Sequence, residues 1–241
     1  MLLQILTYTH HLTTMLFGIF LSAFFLGVKQ NKKNVCILLG GGAVSGLFFL
    51  ICNTVFGSLF TEAVYPIFVH LPLFLLLVFY YRFRWLPSII SIMTAYLCCQ
   101  FSNWAGIFAL SLSGLDWVYY LVRIIVTVAV FAFLSRYLCQ TTALLLAKSD
   151  RELYILGAMP FVYYVFDYST TKFSMLLYSG NKVVVEFLAF AMCISYVIFL
   201  FVYFQEYELK NSAEQYGQLT NMQLNSLHSE IEQVRSSEHR M

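Results

Sequence analysis

The chain has 241 residues, of which 60% are hydrophobic and 11% are charged, whereas soluble globular domains carry about 25% charged residues. This composition excludes an ordinary soluble domain and predicts an integral membrane protein in contact with membrane lipid. The formal net charge of +2 is too small to suggest a nucleic-acid partner. The six cysteines are scattered and show no spacing typical of a disulfide framework or a metal site.

Seven apolar stretches have about the length of 20 residues that a helix needs to cross roughly 30 Å of hydrocarbon. In chain order they lie at 5–27, 34–56, 64–81, 87–110, 118–138, 153–169 and 183–204. The third and sixth stretches are short, so a bundle with six spans is an open alternative. The sequence therefore predicts an all-α, polytopic membrane helical bundle with about seven transmembrane helices.

The loop charges favour an N-terminus outside the membrane and a C-terminus in the cytoplasm. Cytoplasmic loops of membrane proteins carry an excess of Lys and Arg. In this orientation the outer loops carry two basic residues, and the inner loops carry eight, which are Lys29, Lys32, Lys33, Arg82, Arg84, Arg136, Lys148 and Arg151. The charge distribution thus predicts a multi-pass protein of this orientation.

The second stretch contains the glycine-rich segment "LGGGAVSG". Gly42 and Gly46 are four residues apart, a spacing that puts two small residues on one helix face and allows close approach of a neighbouring helix. The segment lacks the Lys-Ser/Thr pair of a phosphate-binding loop. We therefore expect it to serve helix packing.

Five polar residues in or beside the spans are candidates for a signal pocket, because a charge at mid-helix costs about 2.5–3.5 kcal/mol on insertion scales. His70 lies mid-span beside Pro72, where the imidazole could bind a carbonyl freed by a kink, or could contact a ligand or relay a proton. The other four lie towards the outer face and are Asp116, Arg123, Asp167 and Glu186. They could line an outward pocket for a peptide or small polar signal, or pair with one another and reach water.

The chain contains no HExxH, GxSxG or CxxC motif and no ATP-binding pattern. We therefore expect no catalytic residue, no cofactor and no metal within it. The question whether the chain belongs to an enzyme then depends on what its C-terminal segment is attached to.

From Gln205 onward the sequence becomes polar while a helical period persists. Apolar or small residues recur at steps of three and four, as in the heptad seam of a coiled coil. We call this set the seam, and it consists of Leu209, Ala213, Tyr216, Thr220, Leu224, Leu227, Ile231, Val234 and Met241. Two successive steps of four around Thr220 form a stutter, which locally unwinds a coiled coil. Gly217 beside it lowers helix propensity by about 1 kcal/mol relative to Ala.

No proline or turn motif separates the last span from this tail. The sequence predicts a transmembrane sensor bundle at 1–204 and a cytoplasmic linker and dimerisation helix at 205–241, in which a paired coiled coil could transmit rotation, tilt or a register shift. The candidate residues for signal transmission are Gly217, Thr220, Leu224, Leu227, Ile231 and Val234.

The layout of several spans followed by "QLNSLHSEIEQVRSSEHRM" resembles the N-terminal sensor region of membrane histidine kinases with GHKL-type ATPase domains, which include the Agr-type peptide sensors of Gram-positive bacteria. The resemblance implies a bacterial plasma membrane, a cytoplasmic kinase domain and a response regulator as partner. In that family the linker helix leads into an Arg-His-Asp phosphoacceptor motif. Here "EHRM" places Arg240 after His239 and no Asp follows, so the chain is expected to be truncated before the phosphoacceptor and ATPase domains.

The predicted function is therefore signal sensing and homodimerisation, with a small peptide or a lipophilic molecule as the signal. The sequence is also compatible with two alternative functions. One is a small-solute transport component whose path is lined by His70, Arg123, Asp167 and Glu186. The other is a standalone membrane scaffold whose tail recruits a separate cytoplasmic protein.

Overall fold

A computed structural model of the chain describes residues 2–57, 60, 64, 66–172 and 182–238, and of these it leaves undescribed the side chains at 168–172, 182–186 and 232–238. Every regular element within these ranges is helical, which confirms the predicted all-α fold. The described helices are α1 (Leu2–Phe25), α2 (Lys32–Phe56), α3 (Pro66–Tyr80), α4 (Trp85–Cys98), α5 (Gln100–Ser113), α6 (Asp116–Tyr137), α7 (Cys139–Leu146), α8 (Asp150–Lys172) and α9 (Lys182–Glu238).

Four described segments are long and apolar enough to cross a membrane, so the chain is a membrane protein. They are α2, the pair α4–α5 at Trp85–Ser113, α6, and Phe187–Ile231 within α9. The helix α3 at Pro66–Tyr80 is also apolar but shorter. The total of seven spans stays a prediction.

The third apolar stretch folds as a helix with two wide turns. Pro66–His70 and Leu76–Tyr80 are π-helical, and a short α-helical segment at Leu71–Leu75 lies between them. Pro72 at the start of that segment has no N–H to donate to the preceding turn, which interrupts the regular hydrogen bonding of the helix. Such π-helical turns are often found at functional sites. His70 therefore lies where the helix changes its winding.

The fourth apolar stretch divides into two helices, because α4 ends at Cys98 and α5 begins at Gln100. One face of α4 is polar and buried: Ser88, Ser91 and Thr94 are at most 1% exposed. The hydroxyl of Ser91 donates to the Ser22 carbonyl of α1. α4 therefore lies at the centre of the bundle, where it packs against α1, α3, α5 and α8.

A proline in α8 explains one of the contacts made by α9. Pro160 lies inside α8 and has no N–H, so the Leu156 carbonyl four residues earlier loses its helical donor. The hydroxyl of Tyr196 in α9 donates to that carbonyl over 2.9 Å and lies 3.5 Å from the Thr94 hydroxyl oxygen. Tyr196 thereby links α4, α8 and α9 in the interior.

The predicted packing role of the glycine pair in α2 is confirmed. A Cβ added at Gly42 would lie 3.0 Å from Ile19 Cδ1 of α1, and one added at Gly46 would lie 3.4 Å from Met15 Cε. The absence of side chains at both positions lets α1 and α2 approach closely.

The chain divides into two compact units at 1–197 and 198–241. The first unit contains α1 to α8, the N-terminal part of α9 and the buried contacts described above. The second unit is the C-terminal part of α9, in which the described seam side chains with large apolar groups are exposed: Leu209, Tyr216, Leu224, Leu227 and Ile231.

Candidate functional site

Five polar and aromatic side chains meet between α3, α4 and α8. We call them the His70–Asp167 cluster, and its members are His70, Tyr96, Tyr163, Tyr164 and Asp167. His70 Nδ1 lies 2.8 Å from the Tyr164 hydroxyl oxygen. The Tyr96 hydroxyl donates to Asp167 Oδ2 over 2.5 Å. Each of the two hydrogen bonds therefore joins α8 to a different helix.

Aromatic packing joins these two hydrogen bonds into one unit. The Tyr96 ring meets the His70 ring edge-on at a centroid distance of 5.8 Å, and it meets the Tyr164 ring at 4.9 Å. Tyr163, which is 2% exposed, lies 6.3 Å from the Tyr96 ring. Directional hydrogen bonds inside a low-dielectric bundle define one relative position of its helices more strictly than apolar contacts alone.

We expect Tyr96→Phe to lower the apparent free energy of unfolding by about 1–3 kcal/mol, because the substitution keeps the ring contacts and removes a partly buried hydrogen bond to a carboxylate. The measurement is thermal unfolding of the purified protein in detergent micelles. Tyr137→Phe is the matched control, since Tyr137 is 55% exposed. Equal unfolding temperatures for the two variants would contradict a structural role for the Tyr96–Asp167 bond.

A second cluster lies between α1, α5 and α6, and we call it the His10–Arg123 cluster. Arg123 Nη1 donates to the Tyr119 hydroxyl, and its guanidinium carbon lies 5.2 Å from the Tyr119 ring centroid. The Tyr119 and Tyr120 rings are 5.0 Å apart, and the Tyr120 and His10 rings are 5.8 Å apart. His10 is 4% exposed, and Thr14 Oγ1 lies 3.3 Å from its Nδ1.

The structure places the five predicted pocket residues in different surroundings. His70 and Asp167 fall in one cluster, and Arg123 falls in the other. Asp116 is exposed at the first position of α6. The side chain of Glu186 lies outside the described residues.

The transmission candidates all lie on α9. A Cβ at Gly217 would meet nothing within 4 Å, and the Thr220 hydroxyl donates to the Tyr216 carbonyl over 2.8 Å. Leu224, Leu227 and Ile231 are exposed. The side chain of Val234 lies outside the described residues.

Sequence reasoning missed the tyrosines that organise both clusters. Tyr96 and Tyr164 are two of 17 tyrosines in the chain, and no spacing distinguishes them from tyrosines that serve only as apolar bulk or interface anchors. His10 and Tyr119 lie near the ends of apolar stretches, where contact with lipid headgroups is a sufficient explanation for a polar or aromatic residue. Only the folded arrangement shows that each has polar neighbours from another part of the chain or from the next helical turn.

Within the described part of the chain, no group of three or more His, Cys, Asp or Glu side chains could hold a metal ion. Both clusters are instead suited to hydrogen bonding and, at Arg123, to binding negative charge. Comparison with models of known protein families, with curated proteins and with solved structures gives no match for this chain.

Proposed function

We propose that this protein is the membrane signal-sensing and dimerisation module of a two-component sensor histidine kinase. The observation that carries the proposal is α9, a single helix at Lys182–Glu238 whose first part is apolar and whose second part is polar. A helix advances about 1.5 Å per residue and is stiff, so a displacement of its apolar part reaches its polar part as a rotation, a tilt or a translation. Residues 1–204 are then the sensor bundle and 205–241 the cytoplasmic linker.

The proposed topology has about seven spans, an outer N-terminus and a cytoplasmic C-terminus. The membrane-length segments support it, and α1 and α8 add helices of 24 and 23 residues to them. The excess of basic residues in the loops assigned to the inside supports the orientation.

The proposed partner of the seam is a second copy of this chain. Leu224, Leu227 and Ile231 are 51%, 53% and 63% exposed in a single copy, and apolar side chains at this spacing pack as knobs into the holes of a parallel identical helix. A coiled coil with a stutter has a place where its helical phase can change. The dimer thus provides two alternative packings between which a signal can select.

The two polar clusters are the proposed sensing elements. The His70–Asp167 cluster connects helices through two hydrogen bonds and several ring contacts, and the His10–Arg123 cluster connects α1 to α6 through the rings of His10 and Tyr120. A ligand that competes for those contacts changes the relative free energies of two helix arrangements. A difference of a few kcal/mol in ligand affinity between the two arrangements is enough to shift their populations. By the family resemblance, the output is a cytoplasmic kinase domain that phosphorylates a response regulator.

The proposal is tested by fusing the chain to an intact histidine kinase domain and deleting residues 217–220. This deletion turns the doubled step of four into a single step, so the seam becomes an uninterrupted heptad. We expect the autophosphorylation rate of the fusion in membrane vesicles to change by about fivefold or more, the lower range of measured couplings between sites. Gly217→Leu is expected to change the rate in the same direction, because it stiffens the same place.

The matched control is a deletion of residues 210–216. It removes seven residues, so it shortens the helix further while keeping both the seam phase and the stutter. If the two deletions give the same kinase rate as the parent fusion, transmission through α9 is wrong.

A further inference from the structure

Arg123 is directed into the bundle by the packing of its own stem. A Cβ added at Gly106 of α5 would lie 2.3 Å from Arg123 Cγ and 2.8 Å from Cδ, so the arginine stem occupies the space that a larger residue at 106 would need. Arg123 lies seven residues after the start of α6, which is about 10 Å along the helix. The arginine stem therefore lies about two turns from the N-terminal end of α6 and against α5, with the guanidinium at Tyr119.

The charge of Arg123 has no carboxylate partner among the described residues, in which the ion pairs are Arg84–Asp150 and Lys148–Glu152. Its described polar contact is the neutral Tyr119 hydroxyl, and its Nε is buried without a hydrogen-bond partner. Arg123 as a whole is partly buried, and a cation that loses part of its water is costly unless an opposite charge or strong acceptors compensate it.

A second donor on the same helix face is also unsatisfied. Thr127 lies four residues after Arg123, so the two side chains project from one face of α6. Thr127 is 2% exposed, and its hydroxyl is buried without a hydrogen-bond partner. Two adjacent buried donors without an acceptor are uncommon in native structures, and they point to an acceptor that the described residues do not supply.

From this geometry we infer that Arg123 and Thr127 form the binding site of an oxyanion, a carboxylate or phosphate group, that enters between α5 and α6 beside His10. The guanidinium offers a planar fork of N–H donors that matches two oxygens of such a group. The Thr127 hydroxyl adds a donor one turn deeper. The Tyr119 and Tyr120 rings provide an apolar wall for whatever carries the anion.

The inference rests on the proposed sensing function for its biological role, because the anionic group would belong to the sensed molecule or to a lipid that sets the resting state. The oxyanion chemistry is common to the phosphate of an anionic lipid headgroup and to the carboxylate of a small soluble molecule. Binding is measured without any kinase readout, so a failure of this site and a failure of transmission through α9 are separate results.

The experiment uses the full chain in dodecyl maltoside micelles, which contain neither phosphate nor carboxylate, at constant ionic strength held with chloride. Three probes are titrated separately: phosphatidylglycerol, inorganic phosphate and hexanoate. Thermal unfolding gives an apparent dissociation constant for each, since a ligand that binds only the folded state raises the unfolding temperature. We expect at least one probe to stabilise the wild type. Stabilisation by phosphatidylglycerol alone would identify the ligand as a lipid headgroup, whereas stabilisation by phosphate or hexanoate would identify it as a soluble anion.

The decisive variants are Arg123→Gln, Thr127→Val and the control Arg136→Gln. Arg136 lies on the same helix, and its guanidinium stacks on Tyr137 at 5.8 Å. We expect Arg123→Gln to raise the apparent dissociation constant of the stabilising probe by about tenfold or more, as for the loss of a hydrogen bond to a charged group. Thr127→Val, which keeps the shape of the side chain, is expected to raise this dissociation constant less. Arg136→Gln is expected to bind the probe as tightly as the wild type does. The inference is overturned if no probe stabilises the wild type beyond chloride, or if Arg123→Gln and Thr127→Val both bind as tightly as Arg136→Gln.

Discussion

Gly157→Val is expected to lower the apparent free energy of unfolding by about 1–3 kcal/mol, the usual cost of overpacking a filled interior. A Cβ at this buried position of α8 would lie 2.6 Å from Ile90 Cγ1 and 2.7 Å from Ile90 Cδ1 of α4. Ile90 is 4% exposed, so its side chain has no solvent to move into. The substitution therefore forces α4 and α8 apart at the interface that also positions the His70–Asp167 cluster.

The control for this prediction is Gly40→Val in α2, where an added Cβ meets nothing within 4 Å. Both substitutions put a β-branched residue into a helix, so the difference between their effects on the free energy of unfolding measures the cost of the clash with Ile90. Ile90→Ala removes the two atoms that clash, and the double variant should lose less stability than the two single variants added together. Additive losses, measured by thermal unfolding in micelles, would show that Ile90 is not the obstacle.

Leu227→Gln is expected to weaken self-association of the full chain by about 100-fold or more. Glutamine is as good a helix former as leucine to within a few tenths of a kcal/mol, so the helix persists while the seam loses an apolar side chain. In a symmetric dimer one substitution removes two buried leucines, each worth about 1.5–3 kcal/mol. Sedimentation equilibrium in density-matched detergent measures the dissociation constant.

Asn225→Gln is the matched control for this second prediction. Asn225 lies two positions before Leu227 and outside the seam, and both residues are exposed in a single copy. The control keeps a polar side chain off the seam, so its association constant should equal that of the wild type. If Leu227→Gln associates as tightly as Asn225→Gln, the exposed seam is not the dimer interface.

The helical class and the polar C-terminal helix were accessible from the sequence because both are local properties. Apolar runs of membrane length and steps of three and four are read directly from neighbouring residues. The break between α4 and α5 was not accessible. Cys98, Cys99 and Gln100 carry no proline, glycine or charge that would predict the division of the stretch 87–110.

The two polar clusters show the same limit of prediction from local sequence. His70, Arg123 and Asp167 were found from the sequence because a polar residue within an apolar run is rare and costly. For Arg123 and the acids at a similar membrane depth, the sequence left open a shared pocket, mutual pairing and contact with water. In the structure Asp167 bonds to Tyr96 and His70 to Tyr164, and Arg123 bonds to Tyr119.

By itself, the sequence determined that this is an all-helical membrane protein, which residues carry its rare polar groups, and where an amphipathic helix follows the last apolar run. Only the tertiary structure decided which of those groups meet. Residues such as His70 and Tyr164 are 94 positions apart, and their contact depends on how α3 and α8 pack around the buried face of α4. The spacing of apolar residues and the composition depend on residues that are close together in the sequence. A hydrogen bond between helices depends on how helices that are distant in the sequence pack together.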